Sequence, residues 1–256
     1  MTEFSDQTTQ QLDAAARMIK ESRLAVLFSG AGISTPSGIA DFRSVNTGLW
    51  TKDNPMEVAS LTVFRENPQR FFDWLYPLAK QISTASPNHG HYAIAELQNR
   101  GLIKTVITQN IDHLHQDAGS NEVLELHGTI STATCLGCQR SIQAADYLPD
   151  YIKSGIIPRC KQCGRILKPD IVLFEELLPA LVWESADDYC GSCDLMIVAG
   201  SSLEVIPAAT LPAKAARSGA RVIILNRTAT FLDDQADLVI ADDLVQVLPA
   251  LLDRVG

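Results

Sequence analysis

The sequence lacks the marks of a membrane protein and of a nucleic-acid-binding protein. No apolar run approaches the ~20 residues that a membrane-spanning helix needs, and the N-terminal stretch shows no signal-peptide pattern. Only 21 lysines and arginines stand against 30 aspartates and glutamates, so the net charge is −9. Direct nucleic-acid binding is disfavoured, because it usually requires a basic face. We expect a cytoplasmic protein without a membrane segment.

Internal repeats and low-complexity segments are also absent, and what remains is a pattern of short apolar runs. Hydrophobic residues make up 46% of the 256 residues, enough for a large core. The runs are continuous instead of alternating, which favours strands of a parallel sheet buried on both faces and therefore an α/β fold. The predicted strands lie at about 24–28, 102–107, 170–174, 194–200, 220–226 and 236–242.

Two segments interrupt this pattern. From Asn46 to about Pro87 there are no strand-like runs, and aromatic residues recur at helical spacing between residues 67 and 82, which predicts a helical module. Residues 128–169 are rich in cysteine, glycine and basic residues. Both segments are predicted to be insertions into the α/β domain.

The six cysteines form three C-x-x-C pairs. Cys135/Cys138 and Cys160/Cys163 are separated by 21 residues, close to the spacing of about 15–20 that is typical of zinc sites. Four thiolates close the coordination shell of a zinc ion, so this metal is expected to be structural. Cys190 and Cys193 lead directly into an apolar strand and are predicted to be core residues, with a redox pair as the alternative.

Small and polar residues follow four of the predicted strands. The loop "GAGIS" after the first strand is compatible with a dinucleotide-binding turn, but Thr35 replaces the third glycine of the usual pattern. An ordinary strand-to-helix turn is the alternative interpretation. The other strand ends read "TQNID", "AGSS" and "LNR". Ligands collect at the carboxyl ends of parallel strands, so these four loops predict one shared binding site.

Several motifs together resemble the sirtuins, the NAD-dependent protein lysine deacylases. They are "GAGISTPSGIADFR", "TQNIDHLHQDAG", "ELHG", the two C-x-x-C knuckles, "GSSLEVIPAA" and the "LN" ending at Asn226. The resemblance spans about residues 20–256 in the family's order. It implies a Rossmann-like NAD-binding domain from residues 1–45, 86–130 and 170–256. It also implies a small domain made of a helical module, 46–85, and a zinc-binding module, 131–169.

The resemblance also implies a reaction that consumes NAD. The acetyl-lysine oxygen attacks C1′ of the nicotinamide ribose, nicotinamide leaves, and the acetyl group passes to the 2′-hydroxyl to give free lysine and O-acetyl-ADP-ribose. His127 aligns with the family's general base, a task that suits a histidine because its pKa lies near neutrality. Asn110 and Asp112 align with residues that bind the nicotinamide half and its ribose. The resemblance assigns the remaining cofactor contacts to Gly30, Ala31, Gly32, Ser34, Asp41, Phe42, Arg43, Gln109, Ile111, Gly200, Ser201, Ser202, Asn226 and Leu244.

The partner implied by the resemblance is an acyl-lysine protein or peptide, which lies as a strand between residues 172–179 and 201–207. Contacts with it are expected from Val172, Phe174, Leu203 and Val205. Leu75 and Leu78 align with the Tyr and Arg of desuccinylating sirtuins, which predicts a preference for acetyl or longer apolar acyl groups. The sequence does not fix the oligomeric state.

Three residues depart from the family pattern. Ala40 replaces a proline, which should loosen the loop before Asp41, and Glu175 replaces a glycine near the substrate strand, which bears on peptide preference or affinity. His113 stands where a small or polar residue is usual, and it and His115 are predicted to lie outside the catalytic group. An ADP-ribosyltransferase or NAD hydrolase at the same site, and a non-catalytic NAD-sensing or zinc-ribbon module, are the alternatives.

Overall fold

A parallel sheet of six strands forms the centre of the structure, a computed structural model that describes residues 4–41 and 54–256. The strand order is β3-β2-β1-β7-β8-β9, and every neighbouring pair is parallel. The chain runs from β1 to β2 and β3 on one side and then continues with β7, β8 and β9 on the other side of β1. Open α/β sheets bind ligands at such a reversal of strand order. The strands are β1 Ala25–Ser29, β2 Thr105–Thr108, β3 Val123–Glu125, β7 Leu195–Ala199, β8 Arg221–Leu225 and β9 Leu238–Ile240.

Helices cover both faces of this sheet, as its fully buried central strands require. On one face, Leu12, Ile94 and Leu248 pack in one core cluster with Leu27 of β1. On the other face, Ala186 and Leu211 pack with Phe28. The helices are α1 Asp6–Glu21, α5 His89–Asn99, α6 Leu114–Asp117, α8 Ala180–Ser192, α9 Thr210–Arg217 and α10 Leu244–Val255.

A second, antiparallel sheet has the order β5-β4-β6 and is accompanied by α7, Leu148–Ser154. Its strands are β4 Gly128–Cys135, β5 Ser141–Gln143 and β6 Leu167–Ile171. The expectation that residues 170–174 form a strand of the parallel sheet is wrong, because β6 ends in the antiparallel sheet. The sixth parallel strand is instead β3, which the sequence reasoning did not predict.

The helical segment after residue 53 contains α2 Pro55–Val58, α3 Leu61–Glu66 and α4 Pro68–Thr84. The aromatic spacing between residues 67 and 82 therefore predicted α4 correctly. Its buried rings pack edge to face, with Phe72 against Tyr151 of α7 at 5.5 Å between ring centroids. The helical segment and the antiparallel sheet thus share one core cluster, which also contains Phe64 and Ile130.

Cys190 and Cys193 are buried in the core, as predicted. Phe42 and Arg43 lie outside the described residues, and the domain boundaries remain predictions. Across residues 4–41 and 54–256, every helix is too short or too polar to span a lipid bilayer.

Candidate active site and metal site

One cavity of about 700 Å³ lies at the carboxyl ends of the parallel strands. It brings together the four loops that the strand-end argument selected. The predicted site residues that line it are Gly30, Ala31, Gly32, Asp41, Gln109, Asn110, Ile111, His127, Val172, Phe174, Gly200, Ser201, Ser202, Val205, Asn226 and Leu244. Ser34, Asp112 and Leu203 are buried and do not line it.

The glycine loop after β1 packs directly against the loop after β7. The Gly30 N–H donates to the Ala199 carbonyl at 3.1 Å, and the Gly32 N–H donates to the Gly200 carbonyl at 2.8 Å. A Cβ atom on Gly32 would lie 2.8 Å from the Gly200 oxygen, closer than real Cβ contacts allow. Both loops therefore present backbone without side chains to the cavity, which lets a pyrophosphate approach closely.

His127 follows β3 and stands half-buried in the cavity wall. Its Nδ1 atom lies 2.9 Å from the Gln109 carbonyl oxygen. A carbonyl oxygen only accepts, so Nδ1 carries the proton of the neutral ring and Nε2 keeps its lone pair. Burial lowers the pKa of His127 from its usual 6.5, while the bond to Gln109 opposes that shift. The ring is therefore neutral near pH 7 and equipped to accept a proton.

A buried polar chain runs from Asn110 to Asp112. The Asn110 amide donates to Ser34 Oγ at 3.1 Å and to the Gly30 carbonyl at 3.2 Å. Ser34 Oγ donates in turn to Asp112 Oδ2 at 2.7 Å. Burial raises the pKa of Asp112, with the Ser34 hydrogen bond acting against it. Asp112 thus lies behind the cavity wall, where it orients Ser34 and, through it, the Asn110 side chain.

Gln109 joins the loops after three strands. Its backbone N–H donates to the Ser29 carbonyl at 3.0 Å, and its side-chain amide donates to Ser201 Oγ at 2.7 Å. Ser201 Oγ also accepts from the N–H of Leu203 at 3.2 Å. Leu203 therefore stabilises this loop through its backbone N–H and does not line the cavity.

The segment after β6 forms the opposite wall of the cavity. The Val172 N–H donates to the carbonyl of His127 at 2.8 Å, so this wall is attached to the residue that carries the imidazole. Val172, Phe174 and Val205 all face the cavity. They lie on the two segments between which the sequence resemblance expects a peptide.

The cysteine cluster lies away from this cavity, in the antiparallel sheet region. The sulfur atoms of Cys135, Cys138, Cys160 and Cys163 all lie within 4.8 Å of one another. Two of the sulfur–sulfur distances are 3.3 and 3.8 Å, and tetrahedral zinc–sulfur bonds of ~2.3 Å require about 3.8 Å between sulfurs. The donor set and its size fit one structural zinc ion.

Two other histidines, His113 and His115, do not line the cavity. His113 is partly exposed and adopts a left-handed backbone conformation with a φ of 66°. His115 is fully buried, and its Nε2 lies 2.9 Å from Ser29 Oγ. That neither belongs to the catalytic group stays a prediction.

The sequence reasoning missed several residues that line the cavity. Asp242 and Asp243 follow β9. This strand was predicted, but the strand-end argument did not include its carboxyl end. The same strand-end rule finds them. Ala59 and Trp74 belong to the helical segment, and no pattern in the sequence indicates that they line the cavity.

Comparison with known proteins agrees with this geometry. The model of the Sir2 family matches residues 30–207. The NAD-dependent protein deacylase 2 of Archaeoglobus fulgidus is 44% identical over 246 residues, which is 96% of each chain. A solved Sir2 structure with a deacetylated p53 peptide and 3′-O-acetyl ADP-ribose superposes with a TM-score of 0.88 at 38% identity, covering 94% of this chain and 97% of that one.

A second solved structure, of Sir2Af2 bound to a myristoylated histone peptide, gives a TM-score of 0.83. Its identity to this chain is 39%, with coverage of 96% here and 97% there. The family model covers well over half of the chain, and the identities extend over nearly all of it. The chain therefore belongs to the Sir2 family, the sirtuins.

Proposed function

We propose that this protein is an NAD-dependent protein lysine deacylase. It removes acetyl or other apolar acyl groups from lysine side chains and yields nicotinamide, free lysine and O-acetyl-ADP-ribose. The observation that carries the proposal is the position of His127. Its imidazole has a fixed tautomer and stands in the cavity between the glycine loop and the wall formed by Val172 and Phe174.

His127 acts as the general base. The Gln109 carbonyl holds the proton on Nδ1, which leaves the Nε2 lone pair for a ribose hydroxyl. Burial favours the neutral ring, so most of the enzyme carries a competent base at neutral pH. Removing this side chain removes the proton acceptor and leaves the cavity otherwise intact.

The glycine loop and the loops after β2, β7 and β8 hold NAD as the co-substrate. The backbone at Gly30 and Gly32, which carries no side chain, lets the pyrophosphate approach closely, while Ser202 and Asn226 offer polar groups to a ribose. When bound, NAD supplies the ribose carbon that accepts the acyl oxygen and the ADP-ribose that carries the acyl group away. The Asn110 amide, oriented by Ser34, is proposed to bind the nicotinamide half.

The acyl-lysine peptide is proposed to lie between the segment after β6 and the segment around Val205. Extended peptides that pair with backbone gain affinity with modest sequence preference. The lining of the cavity includes the large apolar side chains of Leu78, Ile111 and Trp74. Leu78 is proposed to contact the acyl chain, whereas Leu75 is buried in the core and does not line the cavity.

The four-cysteine cluster is proposed to bind one zinc ion that stabilises the antiparallel sheet. Cys135 ends β4, and β4 begins at Gly128, directly after His127. The metal thus fixes the far end of the strand that leaves the catalytic histidine. A cytoplasmic location, where thiols stay reduced, is part of the same proposal.

The experiment uses purified protein, NAD and an acetyl-lysine peptide, with products followed by mass spectrometry. We expect nicotinamide, free-lysine peptide and O-acetyl-ADP-ribose in equal amounts. His127→Ala should abolish all three, while His113→Asn should retain them, because His113 lies outside the cavity lining and asparagine tolerates the left-handed backbone.

Two other outcomes would contradict the proposal. Nicotinamide release that ignores the acetyl group would indicate an ADP-ribosyltransferase or an NAD hydrolase. No NAD turnover by folded, zinc-loaded protein would indicate a binding module.

A further inference from the structure

The cavity wall formed by residues 172–177 is attached to two different parts of the molecule. Val172 bonds to the backbone of His127, as described above. The Phe174 N–H donates to the Ala59 carbonyl at 3.0 Å, and the Leu61 N–H donates to the Phe174 carbonyl at 3.0 Å. These bonds form a short parallel bridge between Phe174 and Ser60, so the wall is paired with the entry to α3.

Glu175, the next residue, lines the cavity and has a φ of 74°. This left-handed conformation is uncommon for a residue with a long side chain, because Cβ crowds the backbone. A non-glycine residue persists there only when its surroundings hold it. The conformation of Glu175 therefore calls for a specific restraint.

The restraint is a bond from the Glu175 side chain to α3. The Thr62 N–H donates to Glu175 Oε2 at 2.8 Å. The same N–H lowers the pKa of Glu175, because it stabilises the charged carboxylate. Backbone pairing at Phe174 and this side-chain bond at Glu175 thus act on consecutive residues.

Glu176, the residue after Glu175, stabilises the turn through hydrogen bonds to Leu173. The Leu173 N–H donates to Glu176 Oε2 at 2.9 Å, and the Glu176 N–H donates to the Leu173 carbonyl at 3.0 Å. Lys168 pairs with the same Glu176 oxygen at 3.0 Å. The shape of the turn is therefore set by Glu176, whereas its attachment to the helical segment depends on Phe174 and Glu175.

We propose that Glu175 is a positioning residue for the peptide substrate, because its carboxylate ties the cavity wall to α3 through Thr62. This inference rests on the proposed function. Without the carboxylate, the backbone at residue 175 relaxes toward negative φ and the edge that faces the peptide moves. The glycine loop and the ring of His127 make no bond to Glu175, so the chemical step and NAD binding stay as they are.

The test measures steady-state kinetics of Glu175→Ala and Glu175→Gln with an acetyl-lysine peptide. Glu175→Ala should raise the peptide KM several-fold and at most about tenfold, because the lost hydrogen bond is exposed and acts on the peptide only through the position of the wall. The kcat and the KM for NAD should stay within about twofold. Glu175→Gln keeps an acceptor oxygen and should recover most of the peptide affinity, which a loss caused by misfolding would not show.

Gln139→Ala is the matched control, because Gln139 is another exposed non-glycine residue with a left-handed backbone, at a φ of 58°. It should leave the peptide KM unchanged. An unchanged KM in Glu175→Ala would overturn the inference, and so would equal losses in kcat and in both KM values.

Peptide affinity measured by fluorescence anisotropy with ADP-ribose present gives a readout that does not need turnover. If the wild type binds the acetyl-lysine peptide but does not deacetylate it, the proposed function fails while the role of Glu175 is still measured. If Glu175→Ala binds the peptide as tightly as the wild type, the role of Glu175 fails by itself. If the wild type does not bind the peptide at all, both fail.

Discussion

The imidazole of His127 and the backbone carbonyl of Gln109 are joined by a hydrogen bond of 2.9 Å, although the two residues follow different strands of the sheet. Gln109 also bonds to Ser201 through its side chain. One residue therefore fixes the tautomer of the proposed base and the loop that follows β7. The geometry of the base and of the nucleotide loop is coupled through the backbone carbonyl and the side-chain amide of one residue, Gln109.

The pH dependence of activity should show this environment. His127 must be neutral to accept a proton, and burial lowers its pKa below the usual 6.5. Activity is therefore present above the folded pKa and lost as pH falls through it. We expect the acid limb of kcat/KM for the acetyl peptide to lie below pH 6.5, with a slope of one.

The ring titration can be followed independently by NMR, with the His127 signal assigned from its absence in His127→Ala. Agreement between that titration and the acid limb identifies His127 as the group responsible. An acid limb at or above pH 6.5 would contradict the expected effect of burial.

The close contact between the two glycine loops predicts a strong effect of one methyl group. In Gly32→Ala the new Cβ would meet backbone atoms of Gly200 at 2.8 and 2.9 Å, and backbone cannot rotate away as a side chain can. We expect a loss of about 1–3 kcal/mol in the free energy of unfolding and weaker binding of ADP-ribose, measured by calorimetry.

Gly191→Ala is the control for this change. Gly191 lies in α8, where an added Cβ would meet only the flexible end of the Lys214 side chain at 3.5 Å. Replacing a helical glycine by alanine usually stabilises by about 0.5–1 kcal/mol. Equal behaviour of the two variants would show that the loops separate easily.

Two buried histidines predict that the protein loses stability in mild acid. His91 and His115 pack edge to face with ring centroids 5.0 Å apart. Burial lowers the pKa of His91 to about 4 and that of His115 to about 3. Both pKa values lie below the unfolded value of 6.5, so the unfolded chain binds more protons than the folded chain between pH 6.5 and about 4. The free energy of unfolding therefore decreases as the pH is lowered through that window.

The measurement compares the free energy of unfolding of the wild type with that of the double variant His91→Gln/His115→Gln between pH 8 and 4.5. Each histidine adds a slope of up to about 1.4 kcal/mol per pH unit, so the wild-type curve should be steeper below pH 6.5. Above pH 7.5 the two curves should run parallel. Asp112 and Glu125, whose pKa values are raised by burial, act with the opposite sign but are present in both proteins. Parallel curves throughout would contradict the prediction.

The sheet was predictable because continuous apolar runs identify buried parallel strands. The run at residues 170–174 misled that argument, since part of it is a cavity wall, with Phe174 still 36% exposed. The burial of β6 alternates, with Leu167, Pro169 and Ile171 inward, which is the pattern of an antiparallel strand. The shorter β3, with three residues, offered too little pattern to be found.

The chemistry of the site was predictable by residue type, but the depth of each side chain was not. Asp112 lies two positions from Asn110, yet it is Asn110 that lines the cavity and Asp112 that lies behind Ser34. The left-handed conformations of His113 and Glu175 also carry little local sequence signal, since histidine adopts this conformation only in a minority of cases and glutamate does not favour it. They are consistent with the small or polar residue expected at the position of His113 and the glycine expected at the position of Glu175 in the family pattern that the sequence resembles.

The apolar lining near Leu78 predicts the acyl preference. Arg227 is the one lysine or arginine among the described residues that line the cavity, and it already pairs with Asp243 at 2.7 Å. A carboxylate at the end of an acyl chain would be buried without a partner, which costs more than about 3 kcal/mol for a charged group. We therefore expect kcat/KM to be at least ~100-fold lower for a succinyl-lysine peptide than for a butyryl-lysine peptide of the same sequence. The two acyl groups share a four-carbon chain and differ at its end in the carboxylate, so each peptide serves as the control for the other. Faster removal of succinyl than of butyryl or acetyl groups would show that a cation reaches the end of the acyl chain.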